Sequence, residues 1–413
     1  MNKFIRIFFM WLPLVAFFFL QFMLRVSPNV MADDILNHFE INATSFGLLM
    51  SLYYMGYAGM QIPIGLLLDM YGPRYIAAAG ALLCALGGIL FAYTDDWVLA
   101  LLSRLMIGMG SSAAFISASK VLRLWFPEKH FSLFMACTVT VGLLGAFAGG
   151  KPTAEWVQHY GWQNTLLFIC LALFLISVFI YACVQNTPHD QGAKFEILEK
   201  GFLKNFGRLM VKENILWVAF FGALLTGPLC AFADVWGVSY LVHVYGLTKP
   251  DAAEACSMIY VGMATGGPVL AILGTQRDLY RKIIALSGAI MALALLMIMF
   301  INFSYPALVT FLFVVGIFCS YQILVFALVT ANIPKKLSGV MVGSVNTINM
   351  LSGLVYLPII GFLLDMCWEG ALVNEVRIYS PFAYKIAFST IIIGLIIGAC
   401  GFVFLDRLKK KEA

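Results

Sequence analysis

The stretch Gly65-Leu-Leu-Leu-Asp69-Met-Tyr-Gly72-Pro-Arg74 decides how the rest of the chain is read. A run of leucines ends in a carboxylate, and a Gly-Pro pair that interrupts a helix precedes a basic residue. Apolar runs over 44–68 and 75–93 flank it, each long enough for a helix to cross about 30 Å of hydrocarbon. The stretch therefore reads as a tight turn at a membrane face between two transmembrane helices. Working outward, the same pattern recurs, and apolar runs centre on 7–31, 44–68, 75–93, 98–121, 131–150, 163–184, 215–242, 255–274, 283–301, 305–331, 339–364 and 385–405. An all-α polytopic membrane protein of twelve transmembrane helices is expected, because only helices and closed barrels satisfy their backbone in lipid.

Composition agrees. Of the 413 residues 62% are hydrophobic and 11% charged, with a mean hydropathy of +0.92, against about 25% charge in soluble domains. An ordinary soluble enzyme is excluded. The net charge of +5 comes from Lys and Arg scattered between apolar blocks, not from a basic face with interleaved aromatics, so a nucleic-acid partner is excluded too. The nine cysteines form no C-x-x-C pair and sit mostly inside apolar runs, as small buried hydrophobes do. The five histidines fall at the breaks between runs, so neither a metal site nor a cofactor is expected. The first run follows Lys3 and Arg6, but it is too long for a secretory signal and continues past Arg25, so it reads as a permanent helix.

The one sizeable polar stretch, 186–213, carries Lys194, Lys200, Lys204, Arg208 and Lys212 and divides the spans six and six. It implies an N-terminal bundle over 1–185, a cytoplasmic linker over 186–213 and a C-terminal bundle over 214–413. With both termini inside, the Lys and Arg gather in cytoplasmic segments, except Lys151, Lys249, Arg377 and Lys385 outside and Arg25 and Arg104 within spans. Asp33, Asp34, Asp95 and Asp96 fall outside. This is the positive-inside distribution, and the compact loops point to a bacterial inner membrane.

The turn at 65–74 resembles the signature loop of the major facilitator superfamily. Arg104-Leu-Met-Ile-Gly108-Met-Gly110 is similar to that family's second motif, and Trp125-Phe-Pro-Glu-Lys to a loop of its organic-anion (anion/cation symporter) branch. The resemblance implies two pseudo-symmetric six-helix bundles around a site that opens alternately to each side. It marks Gly65, Asp69, Gly72, Arg74 and Gly108 as conformational positions. At the turn, Asp69 is placed to cap or pair at the membrane face, and Arg74 to meet acidic groups or lipid phosphate. Two departures matter. Gly145-Ala-Phe-Ala-Gly149-Gly150 is close to the antiporter branch's motif, but Ala146 stands for its proline, and Ser111 stands near the place of an acidic residue common in anion/proton symporters. The near-match of Gly145–Lys151 to a phosphate-binding loop fails, since Pro152 takes the hydroxyl position and no strand precedes it.

The two halves share a register. Aligning Asp69 with Asp278 sets an offset of 209, and the same offset takes Arg25 to Asp234. A pseudo-two-fold axis along the membrane normal then places a lone cation and a lone carboxylate opposite each other across the central cavity. An ionisable side chain within a span costs several kcal/mol unless it meets water or a partner, so both are candidates for function. Arg25 can bind an anion through its planar fork. Asp234 can carry a proton or, with Arg25, close an outer gate, and a purely structural salt bridge is the alternative. Arg104 is read either as packing or as part of proton-linked rearrangement. Tyr53, Tyr57, Gln61, Tyr321, Gln322, Asn346 and Asn349 are candidate substrate contacts, drawn from a wider polar set with Gln21, Tyr54 and Tyr260; each can orient a ligand between apolar walls or join helices.

The expected protein is a monomeric secondary transporter that moves a small organic anion or zwitterion (a carboxylate, sugar acid, amino acid or short peptide), with protons as coupling ion. Multidrug or metabolite efflux by proton antiport and a non-transporting membrane sensor are the alternatives. A membrane-embedded enzyme lacks its catalytic cluster in this sequence.

Overall fold

A computed structural model describes residues 3–186, 207, 210, 214–274, 279–331, 333, 338–373 and 376–412. Eleven helices are long and apolar enough to cross a membrane. One of them, Ala43–Tyr93, is two spans joined at Gly72, whose φ of 80° and ψ of 166° break the helix. The twelve expected spans are thus all present. Most of the expected linker, with Lys194, Lys200, Lys204, Arg208 and Lys212, lies outside the described residues, as does Asp278.

Polar residues at the ends of the apolar runs set where the helices begin. Asn42 Oδ1 accepts from Ser45 N at 2.9 Å, Asp96 Oδ1 from Leu99 N at 2.9 Å and Thr248 Oγ1 from Asp251 N at 3.3 Å, each satisfying an otherwise orphaned amide. Side chains such as Ile272, Leu293 and Phe404 stay exposed on the rim, which suits a surface solvated by lipid. Two short helices, Ala32–His38 and Lys151–Tyr160, and a small hairpin pairing Leu372 with Arg377 fill the loops on the face away from the termini. None of the three was expected, because each is shorter than the window that finds a span.

The seventh span is not a uniform helix. It runs as α-helix over Ile215–Leu224, as wide π-helical turns over Pro228–Trp236 and again as α-helix over Gly237–Tyr245. The tenth breaks at Ser320, between Tyr305–Cys319 and Tyr321–Thr330.

The halves meet at the end away from the termini. There span two lies against span eleven so closely that a side chain at Gly47 would strike the Leu357 carbonyl, and one at Gly361 the Ala43 carbonyl. Span five meets span eight at Gly150, beside Ser257 and Ala253. Ion pairs also bridge the halves on this face: Lys249 lies 3.3 Å from Asp33 and from Asp34, and Lys151 lies 2.7 Å from Glu254. Toward the terminal face, Gly59, Gly65 and Gly343 have open space where a side chain would project. On the far face the two halves are closed against each other.

A candidate substrate and gating site

Arg25 is the penultimate residue of the first span, Lys3–Val26, and Asp234 lies in the π-helical stretch of the seventh. The offset of 209 brings them into contact. Arg25 donates to Asp234 Oδ2 through Nε at 2.9 Å and Nη2 at 2.6 Å. Both nitrogens converge on one oxygen, while the Tyr260 hydroxyl donates to Oδ1. The Tyr54 hydroxyl also donates to Oδ2 and accepts from Arg25 Nη2 at 3.3 Å. Arg25 is 6% exposed and Asp234 0%, so this pair has left water behind and is held by neutral hydroxyls around it. One helical turn on, Asn29 Nδ2 donates to the Ala233 carbonyl at 2.8 Å and Asn29 Oδ1 accepts from Val238 N at 3.1 Å. The Asn29–Val238 bond spans the same 209 residues.

Tyr53 stands between two cations. The guanidinium of Arg25 lies 6.0 Å from its ring and that of Arg104 lies 5.6 Å away. Its hydroxyl donates to Gln21 Oε1 at 3.0 Å, and Tyr57 stacks on its ring at 6.0 Å. Gln61 is buried on the same span. Arg104 is 2% exposed and its Nε has no hydrogen-bond partner. Among the described residues, Arg25, Arg104 and Asp234 are the charged side chains that are fully buried. Two buried cations thus stand against one buried carboxylate, which among the described residues pairs with Arg25 alone.

The C-terminal half contributes a neutral wall. Tyr321 donates to the Gly222 carbonyl at 2.7 Å, which commits its hydroxyl to joining spans ten and seven. Asn349 is 1% exposed, and neither its amide nitrogen nor its oxygen has a partner; Gln322 Nε2 is likewise buried without one. Asn346, one turn away, is half-buried. Beside Asn349, Ser352 donates to its carbonyl at 2.6 Å and meets Thr226 Oγ1 and Cys230 Sγ.

The motif at 65–74 forms a clamp away from this site. Asp69 pairs with Lys120 at 3.1 Å. Arg74 departs from expectation: Nε donates to the Tyr181 carbonyl at 2.7 Å and the guanidinium lies 4.5 Å from the Tyr181 ring. Asn186 closes the clamp, accepting from Arg74 N at 3.1 Å and donating to the Tyr71 carbonyl at 2.8 Å. Gly108 lets span four touch the Tyr53 backbone, and Ser111 is buried beside Cys84, 3.5 Å from its sulfur. Among the described residues, no group of His, Cys, Asp or Glu could hold a metal ion.

Known proteins resemble this chain over most of its length. The family model described as Major Facilitator Superfamily matches residues 14–357. The uncharacterized transporter YybO of Bacillus subtilis is 26% identical over 225 residues, 54% of the chain and 50% of that protein, so the matched part spans half of this relative. The probable galactarate/D-glucarate transporter GarP of Escherichia coli is 20% identical over 377 residues, 83% of the chain and 84% of that protein. Among solved structures, an inward-facing, unoccupied bacterial homologue of the human lysosomal transporter Spinster superposes with a TM-score of 0.73, covering 97% of both chains at 17% identity. Twelve spans in two halves, closing together at one face, and a family model that matches most of them lead to one assignment: the chain belongs to the Major Facilitator Superfamily of membrane transporters.

Proposed function

We propose that this transporter moves a small organic anion, with sugar acids as the first class to test. The observation that carries the reading is the buried charge: Arg25 and Arg104 flank Tyr53, while Asp234 is the one fully buried carboxylate among the described residues. An uncompensated cation inside a membrane protein is costly, and an anionic substrate restores the balance. The unpartnered amide of Asn349 supplies hydrogen-bonding capacity for hydroxyls, as a polyol acid requires. The likeness to GarP, named as a probable galactarate/D-glucarate transporter, favours the same class.

In this reading Arg25 is shared. With the far face closed it is held by Asp234, Tyr54 and, through Asp234, Tyr260. Protonation of Asp234 removes the charge that holds Arg25 and frees it for substrate, which makes the pair both gate and proton carrier. Uptake across a bacterial inner membrane, with both termini cytoplasmic, is the proposed direction and place.

A thermal-shift screen of purified protein against galactarate, glucarate, hexuronates, neutral sugars and cationic drugs tests the substrate class. A ligand at 100 times its Kd adds about 2.7 kcal/mol to the folded state. Stabilisation by sugar acids that vanishes in Arg25→Ala is expected. Stabilisation by neutral or cationic compounds alone, in both proteins, overturns the anion reading.

A further inference from the structure

The end of span two reads Ile64-Gly-Leu-Leu-Leu-Asp69-Met70, and the end of span eleven reads Ile360-Gly-Phe-Leu-Leu-Asp365-Met366. Both finish in a carboxylate followed by a glycine of positive φ, Gly72 at 80° and Gly370 at 87°. The two ends lie on opposite faces, and their carboxylates are used differently. Asp69 is 56% exposed and pairs with Lys120 of its own half. Asp365 is 12% exposed and reaches into the other half.

There Asp365 Oδ2 accepts from Thr44 N at 2.8 Å and Thr44 Oγ1 at 2.6 Å, and Oδ1 accepts from Ala43 N at 3.3 Å. These amides open span two, and Asn42 of the same chain half satisfies the next one, Ser45 N. The first turn of a helix in one half is thus capped largely by a carboxylate from the other. Within its own half, Asp365 is held by Arg377 Nη1 at 3.1 Å and the Tyr379 hydroxyl at 2.7 Å. Tyr379 also accepts from Ala43 N at 3.3 Å.

We propose that Asp365 is the latch that holds the far face shut, a positioning residue that acts on the equilibrium between the two openings of the transporter. A carboxylate at a helix N-terminus gains from the helix dipole and from charge-assisted hydrogen bonds. Parting the far face must break every bond from Asp365 to Ala43 and Thr44, since these cross the interface. The bonds to Arg377 and Tyr379 survive, so the carboxylate is not stranded when the face opens. Burial, and then Asp365 itself, hold the Tyr379 hydroxyl well above its ordinary pKa, so it remains a donor at physiological pH. The gap across spans two and eleven contains no side chain at Gly47 or Gly361, which leaves the capping bonds as the polar contacts at this seam.

The inference rests on the transport reading only in requiring that the halves part, and its test uses no substrate. Nitroxide labels at Tyr93 and Phe382, exposed residues on the far face in opposite halves, report the opening in nanodiscs by pulsed electron paramagnetic resonance, on a background with Cys137, Cys183, Cys367 and Cys400 replaced by Ser. Asp365→Asn is expected to raise the population at the longer distance relative to that at the shorter one at least about tenfold, the size of one lost charge-assisted bond. Thr44→Val, which leaves Asp365, Arg377 and Tyr379 in place, is expected to shift the ratio in the same direction by less, and it decides the matter if Asp365→Asn does not fold. Distance distributions unchanged from wild type in the folded variants overturn the latch. A screen that finds no anionic ligand would overturn the substrate reading and leave this result standing.

Discussion

At the scale of single residues, Asp234 is where the chemistry converges. It receives Arg25, Tyr54 and Tyr260, so its substitution separates the roles proposed for it. Asp234→Asn keeps the shape and removes the charge, leaving two buried guanidinium groups without a carboxylate. Breaking a buried pair in this way costs about 3–5 kcal/mol, and an anionic ligand should recover part of that. The expected outcome is a lower melting temperature, a larger stabilisation by sugar acids than in wild type, and uptake into liposomes that no longer responds to a proton gradient. Gradient-driven accumulation at the wild-type level would remove Asp234 from coupling. The pair itself was legible in the sequence, because charge inside an apolar run stands out and the half-to-half offset aligned the two positions. Tyr54 and Tyr260 were only members of a broad polar set, since a tyrosine in a membrane helix carries no sign of which partner it meets. Asn29 went unnoticed, although the same offset takes it to Val238, which it bonds. Asp365 was missed as well, and its signal was the repeated stretch at 64–70 and 360–366.

At the scale of elements, hydropathy located the spans to within a few residues because lipid demands an apolar stretch of roughly fixed length. It could not show how a span is wound. The π-helical turns over Pro228–Trp236 hold more residues per turn than an α-helix, a local irregularity that recurs at functional sites. They set the angle at which Asp234 faces Arg25. Deleting Ala231 removes one residue from this stretch and, in α-helical geometry, turns the downstream part of the span by about 100° relative to the upstream part. The deletion variant is expected to keep its helical circular dichroism and lose stabilisation by substrate. Retained stabilisation would show that the winding of span seven does not position the site. Arg74 gives a second instance of what apolarity cannot encode. Its partner is the Tyr181 carbonyl at the end of span six, more than a hundred residues away, so charge alone suggested acidic groups that are not its contacts.

At the scale of the whole molecule, the twelve-span, two-bundle fold was legible in the run of apolar stretches, whereas the face on which the halves close was not. That face is set by contacts between distant residues: the glycine seam of spans two and eleven, the ion pairs of Lys151 and Lys249, and the Asp365 cap. The proposed orientation has a direct test. A fluorescent protein fused after Ala413 should fold and fluoresce in a bacterial host, while alkaline phosphatase fused there should stay inactive; active phosphatase would invert the topology. The buried charge then has an electrical consequence. With two guanidinium groups and one carboxylate in its interior, the empty transporter carries a net positive charge wherever its cavity sits in the membrane field; in the proposed cycle a proton on Asp234 and a bound dianion such as galactarate together cancel it. Each elementary charge carried through 100 mV corresponds to about 2.3 kcal/mol. A voltage across the membrane therefore acts on the return of the empty protein and leaves the loaded, neutral one nearly indifferent.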